Sequence, residues 1–138
     1  MRYALSVLCI LACAASFGEA LPVLTDLEDL RWQHRILVIN EPDLPEELIG
    51  RLQDNAAAFD ERRLAWFLIW GKELRTNYLE PMAHDLRKNI LAGLSPKSNE
   101  VILIGLDGGV KARGEEIDLE FLYTTIDAMP MRRSELRR

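Results

Sequence analysis

The stretch "RILVINEPDLPEEL", Arg35 to Leu48, decides how the rest of the chain is read. Ile36 to Ile39 is a compact apolar run rich in β-branched residues, the composition of a buried strand. An acidic loop follows, with Glu41, Pro42, Asp43 and Pro45. Asp43 and Glu46 have capping-box spacing, and Pro45 suits a first helical turn, so a helix should start here. Leu48, Ile49, Leu52, Ala56 and Phe59 then recur on one helical face. "LAWFLIW", Leu64 to Trp70, is a second wholly apolar run of strand length. Strands buried on both faces have this composition, which is expected of parallel neighbours. The unit is therefore β-α-β, closed by a right-handed crossover.

Upstream, Leu24, Leu27 and Leu30 recur every third residue among Asp26, Glu28 and Asp29, which predicts a short helical turn delivering Trp32 to the core. Gly71 to Glu80 is polar and has no clear period. Pro81 can open a helix whose apolar face is Met82, Leu86, Ile90 and Leu91, with Gly93 placed to stop it. Val101 to Leu106 is a third apolar run, followed by Asp107-Gly108-Gly109 and then Val110 to Arg113. Asp-Gly between two such runs predicts a hairpin, because its turn needs positive φ. Asp118 can cap a last helix with Leu119, Leu122, Ile126 and Met129 on one side. Pro130 should end it, leaving the basic tail "MRRSELRR" frayed. The order β-α-β-α-β-β-α is that of an α/β protein with a mixed four-stranded sheet flanked by helices, the minimal thioredoxin-like arrangement.

The chain has 138 residues and a formal net charge of −5. The first twenty residues stand apart: a basic start at Arg2, an apolar run from Ala4 to Ala15, and small residues ending in Gly18-Glu19-Ala20. This is the pattern of a secretory signal peptide. The expected organisation is a signal peptide over 1–20 and a single thioredoxin-like domain over 21–138, with cleavage after Ala20 or, by a second small-residue match, after Ala14. The expected location is the periplasm or the extracellular space. An acidic domain argues against nucleic acid as a partner. Both cysteines, Cys9 and Cys13, lie in the leader. A mature domain without cysteine has no thiol–disulfide or thiol-peroxidase chemistry and no thiolate metal site. Ile10-Leu11-Ala12-Cys13 loosely resembles a bacterial lipoprotein box, so a membrane association would run through a lipidated Cys13.

Three stretches together, "LRWQHRILVIN" from Leu30, "VILIGLDGGVKAR" from Val101 and "IDAMPMRRSELRR" from Ile126, resemble the bacterial domain of unknown function 4174. That family is similar to the thioredoxin-like domains of animal extracellular-matrix proteins of the sushi-repeat type. The resemblance covers nearly the whole of 21–138 and implies fold and export, with no activity to carry over. Redox-active thioredoxins hold a cysteine pair just after the first strand, where the helix N-terminus lowers a thiol pKa. Here Glu41, Asp43, Glu46 and Glu47 occupy that place. The proline that thioredoxins set directly before the third strand is also missing, since Asn99-Glu100 precede Val101 and Pro96 lies further back. The acidic loop therefore reads as capping charge.

Other constellations have plain explanations. His34 and His84 are far apart and lack ligand spacing. Glu115-Glu116-Asp118-Glu120 suits a solvated helix start better than a cation site. The serines lack a nucleophile-elbow context. Gly108-Gly109 suit a turn better than a phosphate loop, and Trp66 and Trp70 suit the core. No metal and no cofactor is expected.

On a thioredoxin-like topology the three motifs converge at the pole opposite the acidic loop. Candidate binding residues there are Trp32, His34, Arg35, Asp107, Lys111, Arg132 and Arg133. Two arrangements fit. One is a structural latch, with Trp32 packed under Met129 or Met131 and Asp107 paired to an arginine. The other is a cationic patch of Arg31, Arg35, Lys111, Arg132 and Arg133 that recognises an anionic group. The expected function is a non-catalytic binding or adaptor module, with an unidentified protein or anionic ligand as partner. The alternatives are an enzyme using His34 as acid–base at the cationic pole, and a lipid-anchored structural protein of the envelope.

Overall fold

The computed structural model describes residues 22–43 and 45–138. Among them, five strands form one sheet in the order β3-β2-β1-β4-β5: β1 Arg35–Asn40, β2 Leu64–Trp70, β3 Glu73–Thr76, β4 Val101–Ile104 and β5 Val110–Gly114. β1 and β2 are parallel, with Arg35 opposite Leu64. β4 runs antiparallel to β1, with Ile36 opposite Ile104, and β5 returns beside β4 as a hairpin. Gly108 supplies the positive φ of that turn at +80°. This is the thioredoxin-like arrangement with one edge strand added.

That added strand, β3, falls in the polar stretch and pairs antiparallel with β2. It is an edge strand with one half-buried apolar residue, Leu74, so five strands replace the expected four. The Asn77 side chain prolongs its pairing, accepting from Trp66 N (2.8 Å) and donating to Leu64 O (3.2 Å).

The apolar runs are buried on both faces because residues alternate between two cores. Ile36, Val38, Phe67, Ile102 and Ile104 point into one, capped by Leu27, Leu30, Leu86 and Ile90. Leu37, Ile39, Trp66, Leu68 and Leu103 point into the other, capped by Leu52, Phe59, Leu122 and Ile126. Each such side chain contributes about 1.5–3 kcal/mol on burial.

Helix starts and stops differ from the pattern reading at several places. α1, Glu46–Asp54, begins after Pro45 without a side-chain cap, so Asp43 makes no capping box. The capping box lies instead at the 3-10 turn Leu27–Leu30, between Asp26 and Asp29. The chain breaks at Asn55 and resumes as α2, Ala56–Glu61. Asn55 bridges the break, bonding Arg51 O (2.8 Å) and the Tyr123 hydroxyl (2.7 Å). Pro81 opens no helix; its neighbour Met82 forms a parallel bridge with Leu24. α3, Leu86–Leu94, starts later and runs through Gly93, which was expected to stop it, to a cap at Ser95 in a left-handed conformation (φ +46°). Asp118 does cap α4, Leu119–Asp127, through Phe121 N (3.0 Å). α4 does stop short of Pro130, but Pro130 is also the first residue of α5, Pro130–Leu136, so the expected frayed tail is a helix. Proline is favoured at that position because its missing N–H is unpaired there in any case. No helix among the described residues is long and apolar enough to cross a membrane, and the expected signal peptide, with Cys9 and Cys13, lies outside them.

Candidate functional site

The three sequence motifs do meet at the start of β1. Trp32 N donates to Leu106 O (2.7 Å), tying the first motif to the β4–β5 hairpin. Gly108 sits so close to the Glu28 and Arg31 side chains, at positive φ, that a Cβ there would lie 3.3 Å from Glu28 Oε2. Arg35 then reaches Glu135 on α5, joining the third motif to the first.

Arg35 and Arg132 are the charged residues that the fold buries, at 0% and 4% exposure. Arg35 faces Glu135 with both terminal nitrogens (3.3 Å each) and donates to Arg62 O (2.8 Å). Arg63 also pairs with Glu135. Arg132 reaches Asp127 (3.1 Å), Glu61 (2.9 Å) and Glu135 (3.4 Å), and donates to the Glu61 carbonyl (3.0 Å). Arg62 grips Asp127 with two bonds (3.1 and 2.8 Å) while stacking over the Tyr123 ring at 4.3 Å. Four arginines thus interleave with three carboxylates. The bonds from Arg62 hold Asp127 below its ordinary value, against burial and with help from Arg132. Burial alone would raise Glu135, but the bonds from Arg63 and Arg35 outweigh it and hold it low. Burial likewise works against the charge on Arg132, and its three carboxylate partners outweigh that too.

This cluster is a latch, with partners other than those expected. Asp107 takes no arginine; it pairs with Lys111 (2.8 Å), whose bond lowers its pKa, and accepts from Gly109 N (3.0 Å). Trp32 is under neither methionine: the residue is 58% exposed. Leu30 takes the core position, and Trp32, at φ +68° in the turn before β1, is left exposed. Arg31 lies over that ring at 5.3 Å and pairs with Glu28 (3.0 Å). The cations of the expected patch are therefore largely matched by carboxylates; Arg133 is exposed and in no ion pair among the described residues. Pattern reading missed Glu61, Arg62, Arg63, Asp127 and Glu135. Their one visible signal was the Arg62-Arg63 pair at a helix–strand junction, an odd place for two charges next to an apolar run.

His34 stands beside the latch, half-buried, edge-on to Tyr78 at 6.0 Å. It lines an open cleft of about 280 Å³ with Asp60, Arg63, Asn77, Tyr78 and Glu80. Burial, then the Arg63 charge, lowers its pKa, so the imidazole is neutral at pH 7. At the opposite pole, where redox thioredoxins do chemistry, Glu41, Glu47, Glu115 and Glu116 line a cleft of about 420 Å³ with Arg51. Among the described residues no group of three or more His, Cys, Asp or Glu is placed to hold a metal ion.

No curated protein and no solved structure matches the chain significantly. One family model does match, over residues 26–135, from the capping residue of the first turn to the glutamate that closes the latch. The chain belongs to the family described as Domain of unknown function (DUF4174).

Proposed function

We propose that the protein is an exported, non-catalytic thioredoxin-like module that docks a partner protein through the surface around Trp32. The observation that carries this reading is the tryptophan itself, more than half exposed on a left-handed backbone. Bulky residues with positive φ are rare and cost folding energy, and they cluster where function holds them. Tryptophan is also the side chain most enriched among residues that dominate binding energy. Arg31 above the ring and the neighbouring Asp107–Lys111 pair supply a polar rim. The absence of cysteine from residues 21–138 and the carboxylates at the start of α1 support a non-redox role. The apolar leader with its small-residue exit supports export to the periplasm or beyond.

The reading is tested with a photo-crosslinking amino acid at position 32 and, as a control, at exposed Phe121. A discrete adduct from position 32 that is absent at 121 is expected. Equal labelling at both positions would sink the docking surface. The mass of the exported protein tests the address separately: a chain beginning at Leu21 fits, whereas a diacylated Cys13 would make it a membrane-anchored protein.

A second reading, an enzyme using His34, rests on the neutral imidazole lining a cleft with Tyr78 and Glu80. The ring's backbone bond to Arg63 holds the imidazole, but no carboxylate is bonded to it among the described residues to take up or return a proton. It predicts that His34→Gln abolishes a cellular phenotype that Trp32→Ala leaves intact.

A further inference from the structure

The β2–β3 turn and the first turn of α3 enclose an open cleft of about 360 Å³ that shares no residue with the latch. Its ionisable walls are Lys72, His84, Arg87 and Lys88; Leu74, Met82 and Ala83 complete it, and no carboxylate lines it. In a chain of net charge −5 this is a local reversal of sign. The contrast with the latch is sharp. There nearly every cation has a carboxylate, whereas none of these four residues is in an ion pair among the described residues. The acid nearest in sequence on β3, Glu73, is taken by Arg75 at 3.2 Å.

Arg87 adds a second observation. One of its terminal nitrogens donates to the Gly71 carbonyl, which fixes the guanidinium against the turn. Its Nε is buried and has no acceptor. A buried donor without a partner is unfavourable and uncommon in folded proteins. Asp85, at the N-cap of α3, also makes no side-chain cap bond. The lining of the cleft thus offers ammonium, guanidinium and ring nitrogens with no carboxylate among the residues that line it.

We propose that this cleft binds a phosphoryl group on a small soluble ligand. Several cations around one space suit an oxyanion with three or more oxygens better than a two-oxygen carboxylate, and arginine with lysine is the usual pairing for phosphate. The volume is in the range of small-ligand sites. The cleft shares no residue with the Trp32 surface, so the two assignments stand or fall separately.

The test titrates the isotope-labelled full chain with pyrophosphate, and with sodium chloride at matched ionic strength. Pyrophosphate should give saturable amide shifts centred on Gly71, Lys72 and residues 84–88, and chloride should not. Lys88→Glu should weaken binding about tenfold or more, the equivalent of about 1.4 kcal/mol, without changing the melting temperature, since Lys88 is exposed. Lys72→Glu should do the same. Lys97→Glu, an equal change on an exposed lysine outside the cleft, should leave binding unaltered. No saturation at millimolar pyrophosphate, or equal weakening by Lys97→Glu, would overturn the site. Phosphatidylglycerol vesicles distinguish the source of the phosphoryl group. Co-sedimentation with them but no saturable response to pyrophosphate would replace the soluble ligand with a lipid headgroup and so overturn the proposal as stated.

Discussion

Trp32 costs folding free energy twice, once for its left-handed backbone and once for an apolar ring left in water. Trp32→Ala removes little buried surface, so stability should change by less than about 1 kcal/mol. Trp32→Gly relieves about 1–2 kcal/mol of backbone strain and gives back about 0.4–1 kcal/mol to the freer unfolded chain. That variant should melt at or slightly above the parent temperature. A loss of several kcal/mol in either, measured by urea denaturation, would mean that the ring is packed after all. The two arginines of α5 should separate in the same assay. Arg132→Ala leaves Asp127, Glu61 and Glu135 short of a partner and should cost about 2–4 kcal/mol. That is below the range for a fully enclosed pair because Glu61 and Asp127 reach solvent. Arg133→Ala, exposed and in no ion pair, should stay within about 0.5 kcal/mol. Hydropathy alone ranks these residues in the wrong order, since it buries a tryptophan and exposes an arginine. The site was legible in sequence only as a place where chain segments meet. Which side chains pair there depends on residues as distant as Arg35 and Glu135, 100 positions apart, and no local pattern encodes that.

At the scale of elements, the central strands were legible because each is a wholly apolar run, and the hairpin because Asp107-Gly108 demands its turn. β3 was not, because a four-residue edge strand exposes alternate residues and carries only Leu74 as signal. The α1–α2 break was hidden because Leu52 and Phe59 both face the same core across Asn55, so the apolar stripe continues where the helix does not. α5 was hidden because Pro130 reads equally as a stop and as a first turn. Capping shows the same limit, and it can be measured. Asp118 bonds Phe121 N, whereas among the described residues Asp43 bonds no α1 amide and donates its own N–H to Glu41 (3.3 Å). Asp118→Ala should therefore cost about 0.5–2 kcal/mol, and Asp43→Ala much less. Equal losses on thermal melting would place a working cap at Asp43.

Across the whole molecule, the latch and the His34 cleft make stability depend on pH in two separate steps. Burial and the Arg63 charge depress His34 below its ordinary value of 6.5, so the native state holds the neutral ring. As pH falls below about 6.5 the unfolded chain takes up that proton first. The His34 contribution is complete above 6.5 and is lost as pH falls from there through the lower native value. Asp127 and Glu135 are depressed from 3.8 and 4.5. Their contribution is present above those values and disappears as pH falls through the native ones, when Arg35 and Arg132 lose their counter-charges while still buried. That second step should be the larger, because removing the partner of a buried guanidinium leaves it uncompensated. Urea midpoints followed from neutral pH down to about 3 should show a shallow decline and then a steep one. His34→Gln should remove the shallow decline and leave the steep one. A single transition near 4 in both proteins would mean that His34 titrates alike in folded and unfolded chains and that its cleft is as wet as the bulk. Survival of the steep step in Glu135→Gln at full size would mean that α5 is held by its apolar contacts, Met129 among them, and not by the charges that join it to β1.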